Sequence, residues 1–324
     1  MNDTTIVDRR RFIGGSDIAS IMGLQPKGWK TRVQVWERKT APDPAEEVSP
    51  KEQRKRLARG HVVEPLVAKM LEVLHGITTE VRNRRYEDAF SPFFACEIDA
   101  ELPMTAVAHL FAEGTEYTAD DVCNIEIKTV HPFAADEWGE EGTDDIPIHY
   151  GTQVQWGMGI TGRRFAIAAA LFGADDLVLY PMLRDDETIA AMRVRAARFW
   201  NDHVLTRIPP EPTDIKDTLR LWPTADGGNV YATDDIRAVL TTLRMIKAAA
   251  KSYGDSEEGV ALLIREYMKD SARLIDEADN ELATLNVRNT TSVDAGLLKE
   301  KYPAIYKEVL RKGTTRVLTL KDEK

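Results

Sequence analysis

Apolar residues along this chain follow two spacings, and the switches between them lay out the elements. Ile18, Ile21 and Met22 recur at helical spacing behind the turn signal Gly14-Gly15, with Ser16 or Asp17 as N-cap and Gly23 as the stop. Val33, Val35 and Trp36 predict a second short helix over 31–39, followed by a Pro- and acid-rich loop over 41–49. A basic run over 51–59 leads to Pro65, which suits a first helical turn, and Val67, Met70, Leu71 and Leu74 carry a helix on to Gly76. Strands are predicted over 81–86, along the run 93–99 and around Glu126, with a long connection over 131–148. Residues 150–162 read as a helix. Two strands, 164–172 and 177–182, are joined by the hairpin signal Gly173-Ala174-Asp175-Asp176, and a long helix follows over 186–205. Pro209-Pro210-Glu211-Pro212 marks a boundary between a core, 1–212, and an extension, 213–324. The extension reads as a short helix before Pro223, a helical hairpin (233–253 and 256–285) and a tail of strand, short helix and strand over 285–321. The class is α/β (α+β), a mixed sheet flanked by helices.

Strand alternation carries the first chemistry. Glu126 and Lys128 point to one side of their strand, while Ile125 and Ile127 point to the other, into a core. A carboxylate beside an ammonium suits metal-assisted cleavage of a phosphodiester: the Glu holds a divalent cation and the Lys orients or polarises the attacking water. Asp99, closing the run 93–99, completes a carboxylate pair if the two strands are neighbours. An exposed strand edge with a surface ion pair would give the same Glu-x-Lys. Gly14-Gly15-Ser16 at a helix start either presents N–H groups and a hydroxyl to an anion such as a phosphate, within reach of Arg9, or is an ordinary capped helix. Glu64, placed at the start of the helix from Pro65, is either electrostatically comfortable there or a further metal or metal-water contact. His61 reads as a structural or DNA-proximal side chain rather than a ligand. Gln153 and Gln155 lie on different faces of one helix, so at most one looks into a site, where an amide orients a phosphate without adding charge.

Composition changes this picture in two places. The 324 residues carry a net charge of −10, which argues against a nucleic-acid partner, yet residues 1–85 hold 17 Lys and Arg against 11 Asp and Glu. That basic third fits a local phosphate-binding surface, or is merely uneven solvated charge. The two cysteines, Cys96 and Cys123, read as small buried hydrophobes in a reducing compartment rather than a disulfide, and the His and Cys pattern offers no zinc site. The start of the chain lacks a basic-then-apolar leader, and no apolar run reaches the ~20 residues that span a bilayer. The expectation is a cytoplasmic protein with no membrane association.

Asp99, a spacer and then Glu126-Ile127-Lys128 resemble the PD-(D/E)xK nucleases. The ordered set narrows this: Ile13-Gly14-Gly15-Ser16-Asp17-Ile18-Ala19, Gly60 with Glu64-Pro65, Asp99, Glu126-Ile127-Lys128-Thr129, Tyr150 with Gln153-Val154-Gln155, and Val293-Asp294 with Leu298-Lys299 and Pro303. Together they resemble the YqaJ family of phage-type recombination exonucleases, relatives of phage lambda exonuclease, over nearly the whole chain. The resemblance implies a restriction-endonuclease-like fold and Mg2+-dependent removal of nucleotides from 5′ ends of linear duplex DNA, with Mn2+ as a substitute metal. It also implies a homo-oligomeric, trimeric ring, a single-strand annealing protein as partner, and a bacterial or phage-infected cell as setting. By position it makes Glu64, Asp99 and Glu126 metal-site carboxylates, joined by the Ile127 carbonyl, and Lys128 the catalytic lysine. Ser16 and Arg9 fall on the 5′-phosphate site, and Gln153 or Gln155 on the Gln helix. One departure stands out: many relatives read Ser-Pro-Asp-Gly where this chain reads Glu97-Ile98-Asp99-Ala100. Alternation puts Glu97 beside Asp99, so either it joins the metal shell or end recognition differs. Rival readings are an endonuclease or junction resolvase on the same core, and a non-catalytic DNA-binding assembly subunit.

Overall fold

A computed structural model describes residues 9–41, 51–80, 83–224, 227–311 and 316–320, with the backbone alone for 51–59 and 61. The chain divides into two compact units, 1–221 and 222–324. The first continues past the boundary read at Pro212 because Asp217 is buried and tied back: it accepts from Thr31 Oγ1 at 2.6 Å and from the Thr213 N–H and hydroxyl.

In the first unit, α1 (Gly15–Met22) ends at Gly23, whose φ of 78° is the left-handed turn a glycine takes without strain. Helix α2 (Arg32–Thr40) starts at Thr31, which forms a capping box with Gln34. Helix α3 spans Lys51–His75 with Pro65 inside it. This corrects the expected start at Pro65: the Arg-, Lys-, Gln- and Leu-rich stretch upstream is itself good helix-forming sequence. Glu64 is therefore mid-helix, and helix-terminus electrostatics cannot account for it. The hairpin-like pair β1 (Arg84–Glu87) and β2 (Ala95–Ile98) is antiparallel. After it come β3 (Ala100–Pro103), the one-turn α4 (Met104–Val107), β4 (Val122–Val130), α5 (Ile148–Thr161), β5 (Phe165–Phe172), β6 (Asp176–Leu183), α6 (Asp186–Phe199), which runs on as a π-helical segment to Leu205, and α7 (Ile215–Leu221).

The main sheet has the order β3-β4-β5-β6, with β4 and β5 parallel and the outer pairs antiparallel. Every position of β5 is buried, as expected for a strand covered on both faces. One face (Cys123, Ile125, Ile127, Phe165, Ile167, Ala169, Leu171) packs on Val67 and Leu71 of α3. The other face of β5 is Ala166, Ala168, Ala170 and Phe172, packed with Val154 and Met158 of α5. Three alanines in a row on that face leave room for α5 to lie close to the sheet, on the side where Glu126 and Lys128 point.

Buried charge fixes the entry to α1. Lys39 Nζ donates to Asp17 at 2.7 Å and to the carbonyls of Arg9, at 2.7 Å, and Phe12, while Arg38 takes the other Asp17 oxygen. Burial alone would raise the Asp17 carboxyl, but Lys39 and Arg38 hold it well below the usual carboxylate range; burial brings the Lys39 ammonium down to about 8. Removing one partner of such a pair typically costs about 3–5 kcal/mol, so the segment from Arg9 to Ser16 is held to α2.

The second unit differs from the expected helical hairpin. Helix α8 is a single helix, Asp234–Met268, followed by the antiparallel pair β7 (Arg273–Ile275) and β8 (Glu281–Thr284), then α9 (Ala295–Lys301) and α10 (Pro303–Val309). Ser256, where the second helix of that hairpin was expected to start, instead donates to the Ser252 carbonyl inside the helix. Gly254, in open space, weakens the helix by about 1 kcal/mol relative to Ala without breaking it. Among the described residues of 285–320 there is no strand. No described helix is long and apolar enough to cross a membrane.

Candidate active site

The site forms where the β3–β4 ladder stops. The last paired residues are Ala100 and Ile125; one step further the antiparallel register sets Asp99 level with Glu126. Residues so opposed have Cβ atoms ~4.5–5.5 Å apart. The Asp99 backbone no longer pairs with β4 there, its carbonyl accepting instead from the Asn83 N–H at 3.1 Å, and its Oδ2 accepts the Ile127 N–H at 2.7 Å. This contact draws the carboxylate onto β4, beside Glu126 and Lys128. On the α5 side, Lys128 Nζ donates to Glu126 Oε1 at 2.5 Å and to Gln153 Oε1 at 3.2 Å, and Gln153 Nε2 also donates to Glu126 Oε1. The Tyr150 ring lies 5.4 Å from Lys128 Nζ.

The electrostatics are those of crowded carboxylates around one cation. Burial, then Glu126, and also Glu64, push the Asp99 carboxyl well above its ordinary range; Lys128 and the Ile127 N–H draw it back only in part. Burial alone would lower Lys128, but Glu126 and Asp99 overcome it and hold the ammonium charged. Glu64 contributes from α3 and accepts from Asn83 Nδ2 at 3.1 Å. Two carboxylates, Asp99 and Glu126, thus share the Lys128 ammonium, and Glu64 adds to the field at Asp99. Hard oxygen donors with unbalanced negative charge suit Mg2+, which is usually held by one or two carboxylates plus retained waters. Among the described residues no three His, Cys, Asp or Glu side chains come together as a group that could hold a metal ion. Asp99, Glu126 and the Ile127 carbonyl are hard oxygen donors that could hold a cation, with Glu64 acting on Asp99 from α3. Both cysteines are buried, and burial pushes the Cys96 thiol up to about 12 and the Cys123 thiol higher still, which keeps them protonated.

The start of α1 reaches the same cluster. A Cβ on Gly15 would lie 2.9 Å from Gln153 Cγ, so only glycine lets α1 approach α5 this closely. Ser16 follows, and Arg9 Nη2 lies 3.5 Å from its Oγ. Two expected residues are elsewhere. Gln155 is buried on the opposite side of α5, donating to the Leu183 carbonyl at 2.8 Å and accepting from the Asp185 N–H at 3.0 Å. Glu97 is exposed on β2, opposite Arg85, and the alternation that linked it to Asp99 is interrupted where β2 ends at Ile98. The side chain of His61 lies outside the described residues. Tyr150, quoted with the Gln motif but given no role, sits three residues before Gln153, on the same helix face; Asn83 carried no signal, since only the fold brings it to Glu64.

The two glutamines give a test of this division. Gln155→Ala should destabilise the protein by about 1–3 kcal/mol, because it strands two backbone groups, and leave any activity of the folded protein unchanged. Gln153→Ala should do the reverse. Thermal melts alongside rate measurements separate the two.

Residues 7–164 match the model of the YqaJ-like viral recombinase domain. The protein YqaJ of Bacillus subtilis (strain 168) is 26% identical over 327 residues, covering 99% of this chain and 94% of that one. Among solved structures, an alkaline exonuclease from Laribacter hongkongensis is 15% identical, with a TM-score of 0.43 over 62% of this chain and 91% of its own. A phage-related exonuclease from Haemophilus somnus 129PT is 16% identical, with a TM-score of 0.41 over 61% and 96%. Over residues 7–164, just under half of its length, the chain is thus similar to the YqaJ-like viral recombinase domain.

Proposed function

We propose that this protein is a Mg2+-dependent DNA exonuclease that acts on linear duplex ends in phage-type homologous recombination, degrading 5′→3′. The observation that carries the reading is the meeting of Asp99, Glu126 and Lys128 at the end of the β3–β4 ladder, in a pocket of charge that one ammonium does not balance. Bound divalent metal, as a pair in this reading, supplies an acidified water and neutralises charge on the phosphate and the leaving oxygen. The chain's own part is positional. Asp99, Glu126 and the Ile127 carbonyl hold the cation, with Glu64 as outer support. Lys128, kept charged, orients the attacking water and offsets negative charge building on the phosphate. Gln153 fixes both Glu126 and Lys128. Ser16 and Arg9, carried to the cluster by the Gly15 contact, hold the terminal 5′-phosphate. Glu97, exposed on β2, leaves the cutting chemistry to the other carboxylates. Mn2+ substitutes for Mg2+. Assembly into a trimeric ring and handover of the exposed strand to an annealing protein complete the proposal by family resemblance.

Digestion of linear duplex labelled at either end, with and without a 5′-phosphate, in Mg2+ and in chelator, tests the reading. Release of nucleotides from the 5′ end in Mg2+, with circular duplex left intact, is the expected result. Cutting of circular duplex would make the protein an endonuclease on the same core, and binding without any Mg2+-dependent release would make it a non-catalytic DNA-binding subunit.

A further inference from the structure

Helix α8 is 35 residues long, ~52 Å at 1.5 Å per residue, and its apolar residues recur every seven. Steps of seven from Ile236 fall on Leu243, Ala250, Glu257 and Ile264. Steps of seven from Val239 fall on Ile246, Tyr253, Val260 and Tyr267. These are the a and d positions of a heptad repeat, kept over more than four heptads with one polar exception. A seam repeating at 3.5 residues is that of a helix that winds around another helix. Among the described residues of the second unit nothing covers the seam: Tyr253 and Tyr267 are each 78% exposed, and Ile246 is 59% exposed. The face behind it carries Arg237, Lys251, Asp255, Glu258 and Arg265.

We infer that this seam pairs, antiparallel, with the same helix of a second copy of the chain. Glu257 selects both the partner and the direction. Parallel, in-register pairing would set it against Glu257 of the second copy, like charge on like charge inside the seam. Antiparallel pairing centred between Lys251 and Ser252 sets every a position level with a d position. Ile236 then meets Tyr267, Val239 meets Ile264 and Leu243 meets Val260, while Ala250, the smallest seam residue, lies beside the Tyr253 ring. Glu257 comes level with Ile246 of the second copy, whose neighbour Lys247 flanks the seam on the same side, so carboxylate meets ammonium. Nine apolar seam residues per copy, each removing ~60–120 Å2 from water, bury on the order of 1,000–2,000 Å2 in total, the size of a stable interface. Nothing in this pairing depends on the nuclease reading, since no residue of the core takes part.

The test uses the full chain with single cysteines introduced on the exposed seam. A mixture of Val239→Cys and Ile264→Cys proteins should cross-link on mild oxidation, while Val239→Cys alone should not. In sedimentation, Ile246→Asp should lower the assembly mass with helix content unchanged by circular dichroism. Glu257→Lys should weaken self-association on the order of tenfold, and adding Lys247→Glu should restore it. Cross-linking of Val239→Cys with itself, absence of any cross-link together with an unchanged mass for Ile246→Asp, or an indifferent Glu257→Lys would each overturn the proposal.

Discussion

Lys128→Ala should lower the rate of Mg2+-dependent nucleotide release by about 10^2–10^4-fold, the range spanned by positioned proton-handling groups, while duplex binding survives. The size of the effect follows from where the ammonium sits. It lies between Asp99 and Glu126 and is bonded directly to Glu126 and Gln153. It lies on the polar face of β4, away from the core packed on α3, so truncation removes charge rather than core volume. The same truncation leaves a buried Glu126 facing Asp99 without its counter-ion, so the variant should melt at lower temperature in chelator. Mg2+ should recover much of that loss, because a ligand at 100 times its Kd stabilises the folded state by about 2.7 kcal/mol. Low activity combined with metal-restored stability is a pattern that a merely structural lysine would not give. A variant that cuts at the native rate removes Lys128 from the chemistry. Initial rates, a binding titration and melts with and without Mg2+ make the measurement.

The sequence made this cluster legible as far as strand periodicity reached. A period of two placed Glu126 and Lys128 together and Ile125 and Ile127 opposite, and β4 folds that way because its apolar side packs on α3. Periodicity stopped being a guide where backbone pairing changed. Glu97 and Asp99 read as one strand face, but β2 ends at Ile98 and β3 begins at Ala100 in another sheet, so local alternation no longer fixes their relation. Glu64 was misplaced for a different reason: Pro65 is a common helix-start signal, yet tertiary contacts of Val67 and Leu71 hold α3 through it. The choice between Gln153 and Gln155 needed the position of β6, since both glutamines are equally plausible on the helix alone. In the second unit the seven-residue period was present in the chain throughout. Reading Gly254 and Ser256 as a break split one helix into two and hid it.

Asp99→Asn should abolish Mg2+-dependent cleavage, by at least ~10^2–10^3-fold, and at the same time raise stability in chelator by about 0.5–2 kcal/mol, a gain commonly found when functional strain is removed. The sign follows from linkage. Burial, Glu126 and Glu64 raise the carboxyl of Asp99 in the folded chain, so its ionised form is disfavoured by folding. That cost is fully present above the raised folded value, diminishes as pH falls, and is gone below the ordinary carboxylate range of the unfolded chain. Asn is neutral throughout and keeps an oxygen for the Ile127 N–H, so the contact that draws residue 99 onto β4 is preserved. The advantage of the variant should therefore be largest at neutral pH and shrink on acidification, where the native Asp99 takes up its proton. Mg2+ should reverse the order: it stabilises the native chain by neutralising the crowded carboxylates and does little for the Asn variant. A repelling cluster kept in the fold at a cost in stability is understandable if a cation resides there. Should Asp99→Asn retain activity, or gain as much stability from Mg2+ as the native chain, the carboxylates at 99 and 126 do not share an ion.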